Sequence, residues 1–231
     1  MKQIGSISRL AGVFALFALA ANLSLSAAEV GKADITAIKG SVKVDAQEVK
    51  VGDSIAPGQQ IETGADSQLN LFLGANGPTL VVSADSRLAF DELSADTAGA
   101  EPVISTKINV KSGKVSGYVK KTSSQSKYVV QTPTMTAAIR GTQYLVDSDA
   151  GVVYVWEGVV TVSWRGNNYE VSAGQKFDSS VGAVVANDLP NPFRLAAGAG
   201  NATFNVPVIY LRPNPVAPGT STTQPGTQGA R

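Results

Sequence analysis

The chain has 231 residues, 43% of them hydrophobic and 16% charged, which suits one full domain with extras and excludes a disordered or membrane-embedded chain. Nineteen basic against 18 acidic residues leave a net charge of +1, too balanced for a nucleic-acid groove or an acidic-lipid surface. Cysteine and histidine are both absent, which excludes a disulfide framework, a Cys-rich zinc site, a thiol nucleophile, a Ser-His-Asp triad and an N-terminal lipid-bearing cysteine.

Residues 1–28 read as a secretory leader. Lys2 and Arg9 supply its positive start, and Leu10 to Ala21 an apolar run within the roughly 7–15 residues of such segments. Ser26-Ala27-Ala28 offers the small residues a signal peptidase reads, so cleavage is expected before Glu29. The apolar run is shorter than the ~20 residues of a spanning helix. Its removal takes Lys2 and Arg9 with it and turns the net charge from +1 to −1. A periplasmic or secreted product with no transmembrane segment after cleavage follows.

Residues 29–185 read as short strands broken by turn chemistry, as 23 glycines and 11 prolines suggest. Ala33 to Ile38 is the first strand, with imperfect alternation, closed by Lys39-Gly40. Val42 and Val44, Ile55, Leu69 to Leu73, Leu80 and Val82, Leu88 and Phe90, then Ile108 and Val110 mark further strands. Asp91 to Pro102 and Lys120 to Lys127 read as surface loops. A glycine bend followed by apolar residues two apart recurs at Gly40, Gly113 and Gly158, the sign of stacked turns too small to bury their own apolar faces. The spacing is too irregular for an array of fixed repeat length.

The strongest strand signals lie between Thr132 and Trp164. Gln143 to Val146 and Val152 to Trp156 are β-branched and aromatic, and Asp147-Ser148-Asp149-Ala150-Gly151 between them has the residue types of a hairpin turn. Glu157-Gly158 interrupts, and Val160, Val162 and Trp164 resume the alternation. The fold class is therefore all-β, a β-solenoid-like stack of short strands and turns, with a β-sandwich as the alternative. Residues 186–212 form a C-terminal extension in which Phe204 to Leu211 could add an edge strand, and 213–231 is a disordered Pro/Gly/Thr-rich tail.

No catalytic, cofactor or metal site emerges. Ser124 and Lys127 match S-x-x-K but lie in a polar loop, without the helix and companion motifs of the enzymes that use this pair. Asp147 and Asp149 fall far short of the oxygen cage a hard cation needs. Asn201-Ala202-Thr203 fits the N-glycosylation triplet. Arg140, between a hydrophobic stretch and Gly141, is expected to be partly buried and paired with Glu157 across the hairpin. Gly141 and Gly158 are expected to hold backbone angles closed to side chains. Any of Tyr154, Trp156, Trp164 and Tyr169 that point outward could stack on sugar rings or on a partner protein.

The order Thr132-Pro133, Ala138 to Thr142 with Arg140-Gly141-Thr142, Glu157-Gly158-Val159 and Ala173-Gly174-Gln175 resembles the FecR domain. Val51-Gly52-Asp53, Gly58 and Ile61 to Gly64 fit its opening half, and the resemblance runs from Val30 to Val185. It implies an exported, non-enzymatic module and structural roles for those motif positions. Regulatory members of that family sit in the inner membrane, contact a sigma factor from the cytoplasm and sense an iron-loaded transporter. The leader here leaves no cytoplasmic segment for that task. The expected role is a protein- or glycan-binding module for an envelope protein or polysaccharide, with a structural envelope or matrix component, or a truncated relative of the iron-uptake regulators, as alternatives.

Overall fold

The computed structural model describes residues 29–121 and 123–193, and almost all of their regular structure is β-strand. The leader, the strand expected at Phe204 to Leu211, the Asn201 triplet and the tail from Pro213 lie outside the described residues. In the first half run β1 (Glu29–Val30), β2 (Ala33–Lys39), β3 (Val42–Val44), β4 (Gln47–Glu48), β5 (Ser54–Ile55), β6 (Gln60–Thr63), β7 (Gln68–Phe72), β8 (Thr79–Val82) and β9 (Arg87–Asp96). The second half holds β10 (Val103–Ser112), β11 (Lys114–Tyr118), β12 (Lys127–Gln131), β13 (Met135–Asp147), β14 (Val152–Trp164), β15 (Asn167–Ser172), β16 (Gln175–Asp178) and β17 (Ala183–Ala186). One 3-10 turn, Gly74–Asn76, is the sole helical piece among them.

The all-β reading holds. Hydrogen bonding joins the strands into one sheet that curls over on itself. One run of neighbours goes β4–β3–β6–β9–β10–β12–β13, and the other goes β5–β2–β7–β8–β11–β13. Both runs meet on β13, and β14 carries the sheet onward to β15, β16 and β17. These ladders are antiparallel except β10 with β12.

Two corners show why the sheet curls. Gly40 and Gly113 turn the chain from β2 into β3 and from β10 into β11 with φ of 74° and 82°, in the region side chains avoid. A Cβ on either would collide with a serine, Ser67 beside Gly40 and Ser86 beside Gly113. Each serine ends an Ala-Asp-Ser turn, and Asp66 and Asp85 both have φ of 54°. The Ser67 hydroxyl donates to the Ala65 carbonyl at 3.0 Å and accepts the Ser41 N–H at 2.9 Å. Ser86 repeats the pattern, donating to Ala84 at 3.2 Å and accepting the Lys114 N–H at 3.0 Å. The recurring glycine bends at 40 and 113 are thus one corner used twice. Gly158 is different, lying inside a strand.

Alternate residues of each run point into the enclosed core. Ile61, Leu88, Phe90, Ile104, Ile108 and Val130 come from one run, and Ile35, Leu69, Leu80, Val115 and Val146 from the other. Each such aliphatic or Phe side chain contributes about 1.5–3 kcal/mol when fully buried. Polar links cross the same space. The Tyr144 hydroxyl donates to that of Tyr128 at 3.0 Å, with the rings edge to face. Burial drives both phenols well above their ordinary range. The Asn76 amide, buried in the 3-10 turn, donates to the Ser94 carbonyl and the Thr106 hydroxyl at 2.8 Å each.

Two expectations need correction. Asp91 to Asp96 is not loop: β9 runs on to Asp96 because its backbone pairs with β10 from Leu93↔Thr106 to Asp96↔Val103, and only the stretch from Thr97 turns. Nor are all the strands short, since β13 and β14 have 13 residues each. The imperfect alternation in β2 has a cause as well, a register shift between Ile35 and Ala37 against β7.

Candidate functional site

The site grows from the middle of the β13–β14 hairpin. From Met135↔Trp164 to Arg140↔Val159 the strands pair residue for residue, and again from Tyr144↔Val155 to Asp147↔Val152. Between these blocks the register shifts on both sides of Gln143. Gly141 and Gly158 take φ of 61° and 77° there. A Cβ on Gly158 would collide with the Gly141 carbonyl oxygen and stand 2.8 Å from the Thr142 hydroxyl. The fully buried Thr142 hydroxyl donates between the carbonyls of Arg140, at 2.9 Å, and Val159, at 3.1 Å. The bulge is held from inside.

Beside this bulge β13 changes neighbours. Its first half pairs with β12, as Val129↔Ala138, and its second half with β11, as Tyr118↔Gln143. Thr142 and Val119 then exchange backbone hydrogen bonds of 3.0 and 2.9 Å, closing the β11 side. Since β11 ends at Tyr118 and β12 starts at Lys127, the sheet opens between them, and the connecting loop flanks the opening. The result is a cleft of about 730 Å³ lined by Lys121, Ser124, Lys127, Arg140, Val159 and Thr161 among others, with the backbone of Gly141 and Gly158 in its wall. Among the described residues no carboxylate lines it.

Arg140 corrects the sequence reading. It is exposed, not partly buried, and the ion pair with Glu157 does not form: Arg140 stands across from Val159, while Glu157 stands across from Gln143. Lys121 and Lys127 are exposed as well, and among the described residues none of the three cations has an ion pair or a hydrogen bond from its charged group. Lys121 lies directly over Gly141, where a Cβ would sit 3.3 Å from its Cα. Sequence reasoning passed over Lys121 inside a polar loop, and only the changed pairing of β13 brings it to Arg140.

The other motif residues hold turns. Thr132 is buried, and its hydroxyl accepts the Met135 N–H at 3.1 Å while its own N–H donates to the Met135 carbonyl at 2.9 Å, with Pro133 exposed at the tip between β12 and β13. Gly174 turns β15 into β16 with φ of 80°, its N–H donating to the Val155 carbonyl at 3.0 Å. Residues 59–161 match the family model described as FecR protein. That stretch is similar to the FecR family.

That match takes in the Gly113 corner, the core tyrosines and the whole bulge. No curated protein matches the chain. Two solved structures, both titled as "a putative anti-sigma factor from Parabacteroides distasonis ATCC 8503" and determined at 1.65 and 2.50 Å, resemble it at 12% identity and a TM-score of 0.45 each. The first covers 60% of this chain, which in turn spans 63% of that chain; for the second the shares are 59% and 62%.

The four aromatic residues fall into two separate groups. Tyr154 and Trp156 stack on the outer face of β14 at 6.1 Å, and the chain itself sits on them. The Trp156 indole N–H donates to the Leu189 carbonyl at 3.1 Å and its ring meets Phe193 edge on. Lys176 lies over the Tyr154 ring at 5.4 Å and pairs with Asp188 at 2.8 Å, which raises the Lys176 ammonium and lowers the Asp188 carboxyl relative to their ordinary values. Trp164 and Tyr169 instead pack with buried Phe177, and Arg165 covers Trp164 at 4.5 Å.

The remaining sequence candidates are occupied. Buried Asp147 pairs with Lys114 at 2.8 Å and accepts the Ala150 N–H, and Asp149 accepts the Gly113 N–H at 3.0 Å, so the two carboxylates brace the hairpin turn. Among the described residues no group of three potential metal ligands occurs. Ser124 and Lys127 both line the cleft, but no hydrogen bond joins them.

Proposed function

We propose that this chain is an exported, non-enzymatic FecR-domain binding module, periplasmic or secreted, that engages an envelope protein or polysaccharide at the cleft beside the Gly141–Gly158 bulge. The cleft's makeup carries the reading. Among the described residues Lys121, Lys127 and Arg140 line it without a carboxylate, so no described acidic group answers their charges. The frame suits that task, because the bulge is pinned by Thr142 and both flanking strands are paired. The leader read in residues 1–28 supports an address outside the cytosol. Fractionation should place the chain outside the cytosol, and the purified chain should be retained on immobilised peptidoglycan, envelope polysaccharide or membrane-extract protein, with retention reduced by K127A/R140A. A cytosolic product, or retention on none of these, would contradict the proposal.

A further inference from the structure

Resting on the binding-module reading, we propose that the cleft's ligand is an anionic glycan, a saccharide bearing carboxylate, sulfate or phosphate groups. The first support is an electrostatic cost left uncompensated within the described chain. Lys127 and Arg140 lie two residues beyond the last β12–β13 pair, Val129↔Ala138, where the two strands part, and both line the cleft. Like charges gathered in one cleft repel one another. Here Lys121 joins the pair across the cleft, and Glu170, opposite Thr161 on β15, is outside the lining. An anion in the cleft would relieve that repulsion, and the Arg140 fork matches the paired oxygens of a carboxylate, sulfate or phosphate.

The second support separates a saccharide from a protein. Protein partners are gripped by aromatic and apolar anchors seated in pockets, and among the described residues the only large hydrophobic side chain exposed in this cleft is Val159, 40% accessible. A peptide could instead add a strand, but that takes a free edge. β12, β13 and β14 have hydrogen-bonded neighbours on both sides, and the unpaired gap on β13 between the β12 and β11 ladders runs only from Ile139 to Gly141, too short to seat an added strand. What the sheet does offer is a floor of small polar groups. Beside the cleft Thr136, Ser163 and Asn168 form one cross-strand row, and Ala138, Thr161 and Glu170 the next, of which Ala138 and Thr161 line the cleft below the cations. Hydroxyl and amide groups at that spacing suit sugar hydroxyls, and the volume of about 730 Å³ lies within the range of small-ligand sites, roughly 300–1,000 Å³.

The test is binding of the full chain, by calorimetry at low salt, to polygalacturonate, dextran sulfate, glycerol-phosphate polymer, neutral dextran and poly-glutamate. We expect at least one of the three anionic saccharide or polyol-phosphate probes to bind, neutral dextran not to bind, and K121A/K127A/R140A to weaken binding about tenfold. A charge-matched control, K39A/K43A/K50A, should retain it, and R140K/K127R should restore most of the loss if the triple variant folds poorly. Binding to none of the anionic probes, equal loss in the control, or tighter binding to poly-glutamate would each overturn the glycan assignment. If the anionic probes fail while an envelope protein still cross-links through Ser124, the ligand class is wrong and the binding module stands. If both fail, the module reading falls with it.

Discussion

Substituting alanine at Gly158 and, separately, at Gly174 divides the cost of the bulge into two parts. The two glycines have nearly the same φ, 77° and 80°, so alanine pays the same backbone penalty at both, about 1–2 kcal/mol. At Gly174 nothing lies within 4 Å of the new Cβ, and that penalty is the whole effect. At Gly158 the Cβ meets the Gly141 carbonyl, a group fixed in the hairpin backbone, and the forced shift adds about 1–3 kcal/mol, as overpacking does elsewhere. At about 2–4 °C per kcal/mol for a domain of this size, G174A should lower Tm by about 2–8 °C and G158A by roughly twice as much. Thermal and urea unfolding of the full chain, followed by far-UV circular dichroism, reads both. Equal losses in the two variants would refute the idea that contact between the glycines governs the bulge.

Removing one hydroxyl of the core tyrosine pair, Y128F or Y144F, should cost about 1–2 kcal/mol, while Y128F/Y144F should cost less than the sum, as a double-mutant cycle in urea would show. Burial keeps both phenols protonated in the folded chain above their ordinary value of 10.0, so above that pH the folded state holds more protons than the unfolded one. Stability should therefore be insensitive to these groups below about pH 10 and fall as pH rises past it, a slope that Y128F/Y144F should reduce in pH-dependent urea titrations. D147A should destabilise by about 2 kcal/mol or more in the same assay, because it strips the Ala150 N–H and the Lys114 ammonium of their acceptor. W156A should release residues 187–193 from β14 and accelerate proteolytic cleavage there while leaving the Tm of the core within a few degrees.

Local chemistry made the hairpin legible. The β-branched runs on either side of Asp147 to Gly151 name their own strands, and Glu157-Gly158 names the bulge between them. The exposure of Arg140 was readable too, since period two places it opposite in direction to buried Ile139. Attending to its hydrophobic neighbours instead led to burial and to an ion pair that does not form. The repeated Ala-Asp-Ser at 65–67 and 84–86 is plain in the sequence, but its purpose appears only when each serine meets a glycine far away in the chain. Asp91 to Asp96 has poor strand propensity and became strand because β10 lies alongside, which composition does not carry. The cleft is the extreme case. It exists because β13 exchanges β12 for β11 at Thr142, and that exchange rests on pairing across more than twenty residues.

The most direct trial of the binding-module proposal is site-specific photo-cross-linking in intact cells, with the reactive residue placed at Ser124 in the cleft and, as reference, at Lys43 on a distant exposed strand position. An adduct with an envelope component from position 124, absent from position 43 and lost in K127A/R140A, is the expected result. Adducts of equal strength from both positions, or none from position 124, would mean that the cleft is not where this protein meets its partner.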